Sequence, residues 1–386
     1  MRLASARFER LILLNRPRNL ARPLAANIKK RNMRTIFKYR PHSDFLFKEL
    51  YYNELYFASY EELNDPLDLS ARIDFTPYEI NSLDYLIWFI MKVHVDLSGK
   101  TSTIEVTNLF IKLHKNDEAI QELKESIFEK MEAHLVSNKN IWLENLITIL
   151  RASFSEVVPE VKMDEVRLKS KLEQLSRKFL RASFVSCFSE KNNEPLMWAH
   201  YASKHAGVCL EFNLETLGMF TYEVNHDFKT LAKDGNIIKE FTKETYTYKD
   251  RIRSVSYEAE QPHVNFFKFA PVFENENDTD LIELNKSWTH DYAHELEWVF
   301  STKTLNWEYE KELRAIQINF KENQIPEERI RHYPIEMLKS VYFGSNTPEV
   351  SKKRIYKIIS RKSHEIQFFN TQLGGANKII FEDYEP

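Results

Sequence analysis

The sequence predicts an α+β protein with a mixed β-sheet core. Runs typical of strands lie in two separate zones, 35–75 and 181–386, and apolar residues at helical spacing occupy the zone between them, 76–180. We therefore expect 35–75 and 181–386 to form one mixed α/β domain. The zone 76–180 is predicted to be a large helical insertion packed on that domain, and residues 1–34 a basic N-terminal arm.

The first zone carries its own start and stop signals. Residues 36–39 are predicted to form a strand, and Ser43 is a residue type that caps helices, which indicates a helix through Leu50. Residues 54–58 are expected to form a second strand. A turn is predicted after this strand, at the sequence Asn-Asp-Pro of residues 64–66.

The two later zones differ in their periodicity. The runs IWLENLITIL and VRLKSKLEQLSRKFLRA place apolar residues at helical spacing. After residue 181 the pattern changes to short strands, which we predict in the runs FVSCFS, GVCLEFN, EWVFSTK, ELRAIQINF, SVYFGS and EIQFFN.

Composition excludes several classes of protein. Hydrophobic residues make up 43% of the chain and aromatic residues 13%, which excludes wholesale disorder. The seven glycines build neither G-x-G-x-x-G nor a P-loop, so both nucleotide-binding motifs are absent. Two cysteines, Cys187 and Cys209, make no disulfide framework or zinc quartet and fit a reduced, cytoplasmic protein. No run approaches the ~20 apolar residues of a membrane span, so no membrane contact is expected.

The N-terminal arm is strongly basic. Residues 1–34 contain ten Lys or Arg and a single acid, Glu9. Three interpretations stay open: a transit-type targeting peptide, a binding arm for nucleic acid or a protein partner, and a solvated lead-in to the domain. A binding arm would give affinity for polyanions that fades with salt.

The run SCFSEKNNEPLMWAHYASKHAGVCLEF, residues 186–212, concentrates residue types that serve either chemistry or a core. His200 and His205 lack the spacing of a zinc pair, and Cys187 has no evident base, so we expect no metal site and no cysteine nucleophile. The helical spacing of the apolar side chains predicts core packing for Met197, Trp198 and Tyr201. Core positions are also predicted for both cysteines. Ser186 and Ser189 are expected to share one strand face and line a pocket, which His200 would also face.

A second polar cluster lies in the run NWEYEKELRAI. If this run is extended, then Glu310, Glu312 and Arg314 share one face of a strand. Two carboxylates on one face repel each other, and this cost indicates that they serve a site. The alternative is a solvent-facing strand with a cross-strand ion pair, which would have no chemical role.

The order of these elements resembles that of the ADP-ribosyltransferases, which bind NAD without a Rossmann fold. The elements are KYR on an early strand, S-x-F-S on a middle strand and E-x-E on a late strand. The resemblance implies an ADP-ribosyltransferase-like sheet. It also implies roles: Arg40 clamps the pyrophosphate of NAD, Glu312 stabilises the developing positive charge, and Glu310 orients the acceptor.

Further roles complete the set of site residues that the resemblance implies. Tyr39 would stack on a ring of NAD, and Ser186 would position Glu312 or the ribose. Ser189 and His200 would line the NAD-binding pocket.

Longer stretches resemble the bacterial family of domain of unknown function 2971. The hallmarks that the chain shares are KYR, NDP-x-D, the serine strand followed by MW-x-HYA, and W-x-YE-x-E-x-R, in this order between residue 37 and about 345. The resemblance implies little about function, since members have mostly been named by sequence, some of them in mobile or defence-linked settings. The helical zone is longer than the family core needs.

Together these patterns predict an NAD-consuming ADP-ribosyltransferase-like enzyme, a toxin or phage-defence effector, with NAD as substrate and no metal. One alternative is a non-catalytic nucleic-acid-binding or protein-binding regulatory module that uses the basic arm. A second is a nuclease or hydrolase in which Glu310, Glu312 and Asp65 hold a divalent metal.

Overall fold

The computed structural model describes most of the chain after residue 34. The described residues are 35–87, 89–90, 117–159, 163–181, 183–214, 219–229, 241–268, 297–318, 325–375 and 378–386. The basic arm predicted over 1–34 lies outside these ranges, and its role stays a prediction.

The described elements confirm the α+β class. The α-helices are α1 (Asp44–Tyr52), α2 (Asp117–Leu135), α3 (Leu143–Val157), α4 (Glu165–Arg181), α5 (Pro195–Tyr201) and α6 (Glu349–Ser360). The strands are β1 (Thr35–Arg40), β2 (Glu54–Tyr56), β3 (Arg72–Asp74), β4 (Ser183–Ser189), β5 (Val208–Asn213), β6 (Met219–Lys229), β7 (Phe241–Arg251), β8 (Arg253–Ser254), β9 (Ser256–Glu258), β10 (His263–Asn265), β11 (Thr302–Thr304), β12 (Glu312–Ile318), β13 (Ile330–His332), β14 (Leu338–Phe343), β15 (Gln367–Gly374) and β16 (Lys378–Asp383).

The largest sheet is mixed and has β1 near its centre. Among the described residues it contains eight strands in the order β16-β15-β14-β5-β1-β4-β12-β8. Strands β14 and β15 run parallel, and the other neighbouring strands whose pairing is described run antiparallel. The early, middle and late strands that carry the sequence motifs are therefore β1, β4 and β12, which lie side by side.

The two faces of this sheet pack against different helices. One face carries Ile36, Phe188 and Leu313 and packs in the same buried cluster as residues of α1 and α6; we call it the helix face. The other carries Phe37 and Tyr39 and packs on Trp198 of α5, together with Cys209; we call it the tryptophan face. Since side chains alternate along a strand, each motif residue can be assigned to one face.

Local signals position β1 and α1 as the sequence predicts. The backbone N–H of Leu46 donates to the side chain of Ser43, the N-cap of α1, and Asn53 ends the helix in the left-handed conformation. A β-carbon on Gly207 would lie 2.2 Å from the carbonyl oxygen of Arg40, so only glycine allows this approach of the chain before β5 to the end of β1.

The contacts divide the chain into two units. The first contains the described residues of Met1–Asp68, Ser183–Ala259 and Ser301–Pro386, and holds the large sheet and a four-stranded sheet of order β2-β13-β6-β7. The second contains those of Leu69–Ala182 and Glu260–Phe300, and holds α2 to α4 and the parallel pair β3 and β10.

One predicted strand is wrong in part. In the run EWVFSTK, residues 297–300 are helical and only Thr302–Thr304 is a strand. Val299 and Phe300 are both fully buried, whereas Trp298 is 41% exposed. Two adjacent buried side chains match a helix stripe and not the alternation of a half-buried strand. The hairpin of β6 and β7 was not predicted.

Candidate functional site

The two glutamates of the E-x-E motif lie in different elements. Glu310 is the last residue of a 3-10 helix, Leu305–Glu310, and Glu312 is the first residue of β12. Lys311 between them adopts the left-handed conformation, with φ 44°, which costs a non-glycine residue of order 1 kcal/mol. The expectation that Glu310 shares one strand face with Glu312 and Arg314 is therefore wrong, because the strand begins at Glu312, after the turn at Lys311.

Glu312 and Arg314 form a bidentate ion pair on the tryptophan face. Arg314 donates from Nε to Glu312 Oε1 at 2.7 Å and from Nη2 to Glu312 Oε2 at 2.9 Å. Its Nη2 also donates to Asp68 Oδ2 at 2.7 Å. Arg314 is fully buried and Glu312 is 5% exposed, so the alternative of a solvent-facing ion pair is excluded.

Lys303 joins the second glutamate to this pair. Its Nζ lies 2.7 Å from Glu310 Oε2, 3.3 Å from Glu312 Oε2 and 3.5 Å from Asp68 Oδ2. Burial alone would lower the pKa of Lys303, but the charges of Glu312, Asp68 and Glu310 raise it above its usual value. Lys303 is therefore a permanent cation shared by three carboxylates, and the buried charge network consists of Asp68, Lys303, Glu310, Glu312 and Arg314.

A hydrogen-bonded path connects Glu310 with the surface. The exposed side chain of Asn64 donates from Nδ2 to the hydroxyl of Tyr201 at 2.9 Å, and that hydroxyl donates in turn to Glu310 Oε1. Ser189 Oγ donates to the backbone carbonyl of Glu310 at 2.7 Å and so fixes the turn. The hydroxyl of Tyr201 therefore links the buried carboxyl group of Glu310 to a side chain at the surface.

The network moves the pKa values of its two glutamates apart. Burial would raise the pKa of Glu312, but Arg314 and Lys303 lower it to about 2. The pKa of Glu310 is raised, first by burial and then by the charge of Glu312, despite the nearby Lys303. Charge balance supports this direction, because three carboxylates face two cations and a single proton on Glu310 makes the network neutral.

The raised pKa of Glu310 predicts a pH-dependent difference between the wild type and Glu310→Gln. A group whose pKa is higher in the folded state adds stability below its unfolded pKa, about 4.3 for Glu, and loses it as the pH rises through the folded pKa. Raising the pH from about 4 to about 8 should therefore destabilise the wild type relative to Glu310→Gln. Urea unfolding of both proteins across this range measures the difference. A difference that stays constant, or that shifts in favour of the wild type as the pH rises, would show that the pKa of Glu310 is not raised.

Aromatic side chains flank the network on its accessible side. We define the aromatic ledge as His200, Tyr201, Trp307 and Tyr309. The ring of Tyr309 lies 6.3 Å from that of His200 and 6.2 Å from that of Trp307, and Lys303 Nζ lies 4.6 Å from the centre of the Trp307 ring. His200 is exposed and the other three are half-buried. The ledge therefore offers partly exposed ring faces next to Glu310 and Lys303.

The structure brings only some of the predicted site residues together. Ser189 lies opposite Glu312 in the pairing of β4 with β12, and both lie on the tryptophan face. Tyr39 is on that face too, but it is buried in the core: its hydroxyl donates to the carbonyl of Lys191 at 2.9 Å and its ring meets Trp198 edge-on at 5.3 Å. The ring of Tyr39 therefore packs in the core of the tryptophan face.

Arg40 and Ser186 lie on the helix face, away from the side chain of Glu312. The guanidinium of Arg40 makes a two-point ion pair with Glu49 of α1. Ser186 Oγ accepts from Lys38 at 2.8 Å. The expectation that Ser186 and Ser189 share one strand face is wrong, because residues three apart on a strand point to opposite faces.

The remaining sequence predictions concern core packing and metals. Met197 and Trp198 are buried, and Cys187 and Cys209 are free thiols whose pKa burial raises. Tyr201, expected in the core, instead bonds to Glu310. Asp65 caps a local turn, with Oδ1 accepting from the N–H of Leu67 at 2.9 Å, and is not part of the charge network. Within the described ranges, no three His, Cys, Asp or Glu side chains are grouped as metal ligands.

Two members of the network were missed in the sequence. Asp68 is the final residue of the NDP-x-D hallmark, so its motif was visible but its side chain was not singled out. Lys303 is the last residue of the run EWVFSTK, which the sequence predicts as a strand, and nothing in its spacing signals a buried cation. Tyr257, whose hydroxyl accepts from the N–H of Glu312 at 2.7 Å, gave no signal either.

Comparison with known proteins identifies one similarity. Residues 197–315 match the model of the family described as protein of unknown function DUF2971, which confirms the predicted resemblance over that segment. The segment contains both MW-x-HYA and W-x-YE-x-E-x-R, and so contributes Lys303, Glu310, Glu312 and Arg314 to the network. No curated protein and no solved structure matches the chain. None of the helices in the described ranges is long and apolar enough to cross a membrane.

Proposed function

We propose that the protein is an NAD-consuming, ADP-ribosyltransferase-like enzyme that breaks the bond between nicotinamide and ribose. The observation that carries the proposal is the pair of glutamates that meet on Lys303, next to the aromatic ledge, with their pKa values shifted in opposite directions. Carboxyl pairs whose environments separate their pKa values are typical of sites that divide electrostatic and proton-transfer roles.

Glu312 supplies the fixed negative charge. Cleavage of a glycosidic bond passes through an oxocarbenium-like state, which a positioned carboxylate stabilises. With a pKa of about 2, Glu312 is anionic throughout the physiological range. Arg314 holds its carboxylate in one orientation through two hydrogen bonds, so little reorganisation is needed as positive charge develops on the ribose.

Glu310 supplies the proton acceptor. The bond between C1′ of the ribose and the ring nitrogen of nicotinamide breaks, and its electron pair neutralises the pyridinium. A bond forms between C1′ and the oxygen of an acceptor hydroxyl or water, whose proton passes to Glu310. A carboxylate with a raised pKa is the better base of the two.

The aromatic ledge suits the planar ring of the substrate. The partly exposed faces of Trp307 and Tyr309 offer stacking surfaces, and nicotinamide in NAD is a cationic ring that an aromatic face attracts. Exposed His200 completes the same surface. A ring stacked there lies next to Glu310, which is the residue that follows Tyr309 in the chain.

The direct test is nicotinamide release by the purified protein. We expect chromatography to detect free nicotinamide after incubation with NAD, at the same rate with and without added magnesium. Release that requires magnesium would favour a metal-dependent hydrolase. Absence of release, together with salt-sensitive retention of labelled oligonucleotides that is lost when residues 1–34 are deleted, would favour the non-catalytic binding module.

A further inference from the structure

The junction between β1 and β4 is incomplete. The two strands share one register pair, Phe37 with Ser189, whereas β1 pairs with β5 along its whole length. Farther along β4, the backbone of Val185 bonds instead to Ala58, at 2.8 and 2.9 Å. Between these two points the carbonyl of Cys187 faces β1 without a backbone donor from that strand, and we call this opening the β1–β4 notch.

Lys38 occupies the notch from the helix face. Its Nζ donates to Ser186 Oγ at 2.8 Å and to the carbonyl oxygen of Cys187 at 3.0 Å, and lies 5.0 Å from the centre of the Phe188 ring. Both acceptors are neutral. Within the described part of the chain, Lys38 forms no ion pair with a carboxylate.

The charged side chains around Lys38 compensate its cation only in part. Arg40, two residues along the same face, is itself a cation, and its Nε and Nη2 both donate to Glu49. The pKa of the half-buried Lys38 is lowered to about 8, by burial first and then by the charge of Arg40, although Cys187, Glu49 and Glu312 act in the opposite direction. The lysine is therefore a position where an added negative charge would be stabilising.

Two hydrogen-bond donors in the notch have no acceptor among the described residues. The ammonium of Lys38 has three N–H groups, of which two donate to Ser186 and Cys187. Ser186 accepts from Lys38, and its own O–H donates to no group among the described residues. An ammonium N–H and a hydroxyl that meet at 2.8 Å can both donate to one oxyanion.

We infer that Lys38 and Ser186 form an anion-binding subsite at the β1–β4 notch that takes a phosphoryl group. The choice of phosphoryl follows from the donors, because an ammonium N–H and a hydroxyl side by side suit two oxygens of one oxyanion. The subsite lies on the helix face, as does Arg40, and is separate from the proposed reaction at Glu312, whose side chain lies on the tryptophan face. Because Arg40 is engaged in an ion pair with Glu49, Lys38 is the cation on this strand that we assign to the anion.

The test is calorimetric binding of ADP to the full chain, compared with Lys38→Met, Lys38→Arg and a surface control, Lys48→Met. Lys48 pairs with Glu54 on the surface and has no role in the notch. Lys38→Met should weaken ADP binding by about tenfold or more, as expected for the loss of one charged hydrogen bond. Lys38→Arg should retain most of the affinity and Lys48→Met all of it.

A pH series separates the subsite from a structural role of Lys38. Only the charged lysine attracts the anion, so wild-type affinity for ADP should fall as the pH rises above about 8. The Lys38→Arg variant should lack this fall, because arginine stays charged. Inorganic phosphate as a second ligand tests whether the phosphoryl group alone is bound.

The outcomes distinguish this inference from the proposed function. Wild-type ADP affinity in a folded Lys38→Met variant would overturn the subsite, even if the protein releases nicotinamide from NAD. Loss of ADP and phosphate binding in Lys38→Met, in a protein that leaves NAD intact, would support the subsite and overturn only the proposed reaction. Circular dichroism of each variant confirms that it is folded.

Discussion

Glu312→Gln is expected to lower the rate of nicotinamide release from NAD by about two to three orders of magnitude. The substitution keeps the size of the side chain and removes the charge, and electrostatic contributions at such centres are worth ~3–4 kcal/mol of transition-state stabilisation. The loss should appear in the maximal rate and not only in substrate affinity, because the charge acts on the developing cation.

The buried position of Glu312 requires a control for folding. The variant leaves Arg314 with Asp68 and Lys303 with Glu310, so its free energy of unfolding should fall as well. Rates are therefore expressed per folded protein, at a temperature where circular dichroism shows both proteins native. A Glu312→Gln protein with the wild-type rate would contradict the assignment of Glu312.

Arg314→Met is expected to lower the free energy of unfolding by about 3–5 kcal/mol, because it removes one partner from a buried ion pair and leaves the other charged. Arg314 is fully buried, and both Glu312 and Asp68 lose a hydrogen-bonded cation. Lys303 alone then faces three carboxylates. Urea unfolding at neutral pH measures the change.

The matched control removes a cation from a surface pair. Lys48→Met breaks the ion pair with Glu54, in which the lysine side chain is 47% exposed, and should cost at most ~1 kcal/mol. If Arg314→Met cost no more than this control, the network would be a minor contributor to the fold.

Local sequence patterns were sufficient to predict the strands that carry the motifs, but not that these strands are neighbours. The motifs KYR, S-x-F-S and E-x-E were assigned to an early, a middle and a late strand, and the structure places these strands side by side as β1, β4 and β12. Period-two hydrophobicity and turn residues carry this information locally, so the strands and the Ser43 cap could be predicted. The helical conformation of residues 297–300 could not be predicted, because a short apolar run fits a helix and a strand equally well.

The faces of the motif residues follow from strand alternation, but their tertiary partners could not be predicted. Arg40 and Ser186 belong to the same motifs as Tyr39 and Ser189, but strand alternation turns them to the opposite face of the sheet. Lys303 reaches the network through tertiary contacts that no local pattern encodes. The turn at Lys311 depends on a left-handed backbone conformation, which a lysine gives no reason to expect.

We propose that the buried charge network is catalytic and not only structural. The variant Glu310→Gln separates the two possibilities. Gln removes a negative charge whose burial is unfavourable, as the raised pKa of Glu310 indicates, so folding at neutral pH should be preserved or improved, while proton transfer from the acceptor is lost. The control is Glu308→Gln, the same change at an exposed residue of the same 3-10 helix.

The decisive measurement is nicotinamide release from NAD at neutral pH by the wild type, Glu310→Gln and Glu308→Gln, with urea unfolding of each protein. We predict that Glu310→Gln loses about a hundredfold in rate, as for other general bases, without loss of stability, and that Glu308→Gln matches the wild type in both. A Glu310→Gln protein that releases nicotinamide at the wild-type rate, or a wild type that releases none, would contradict the catalytic role of the network.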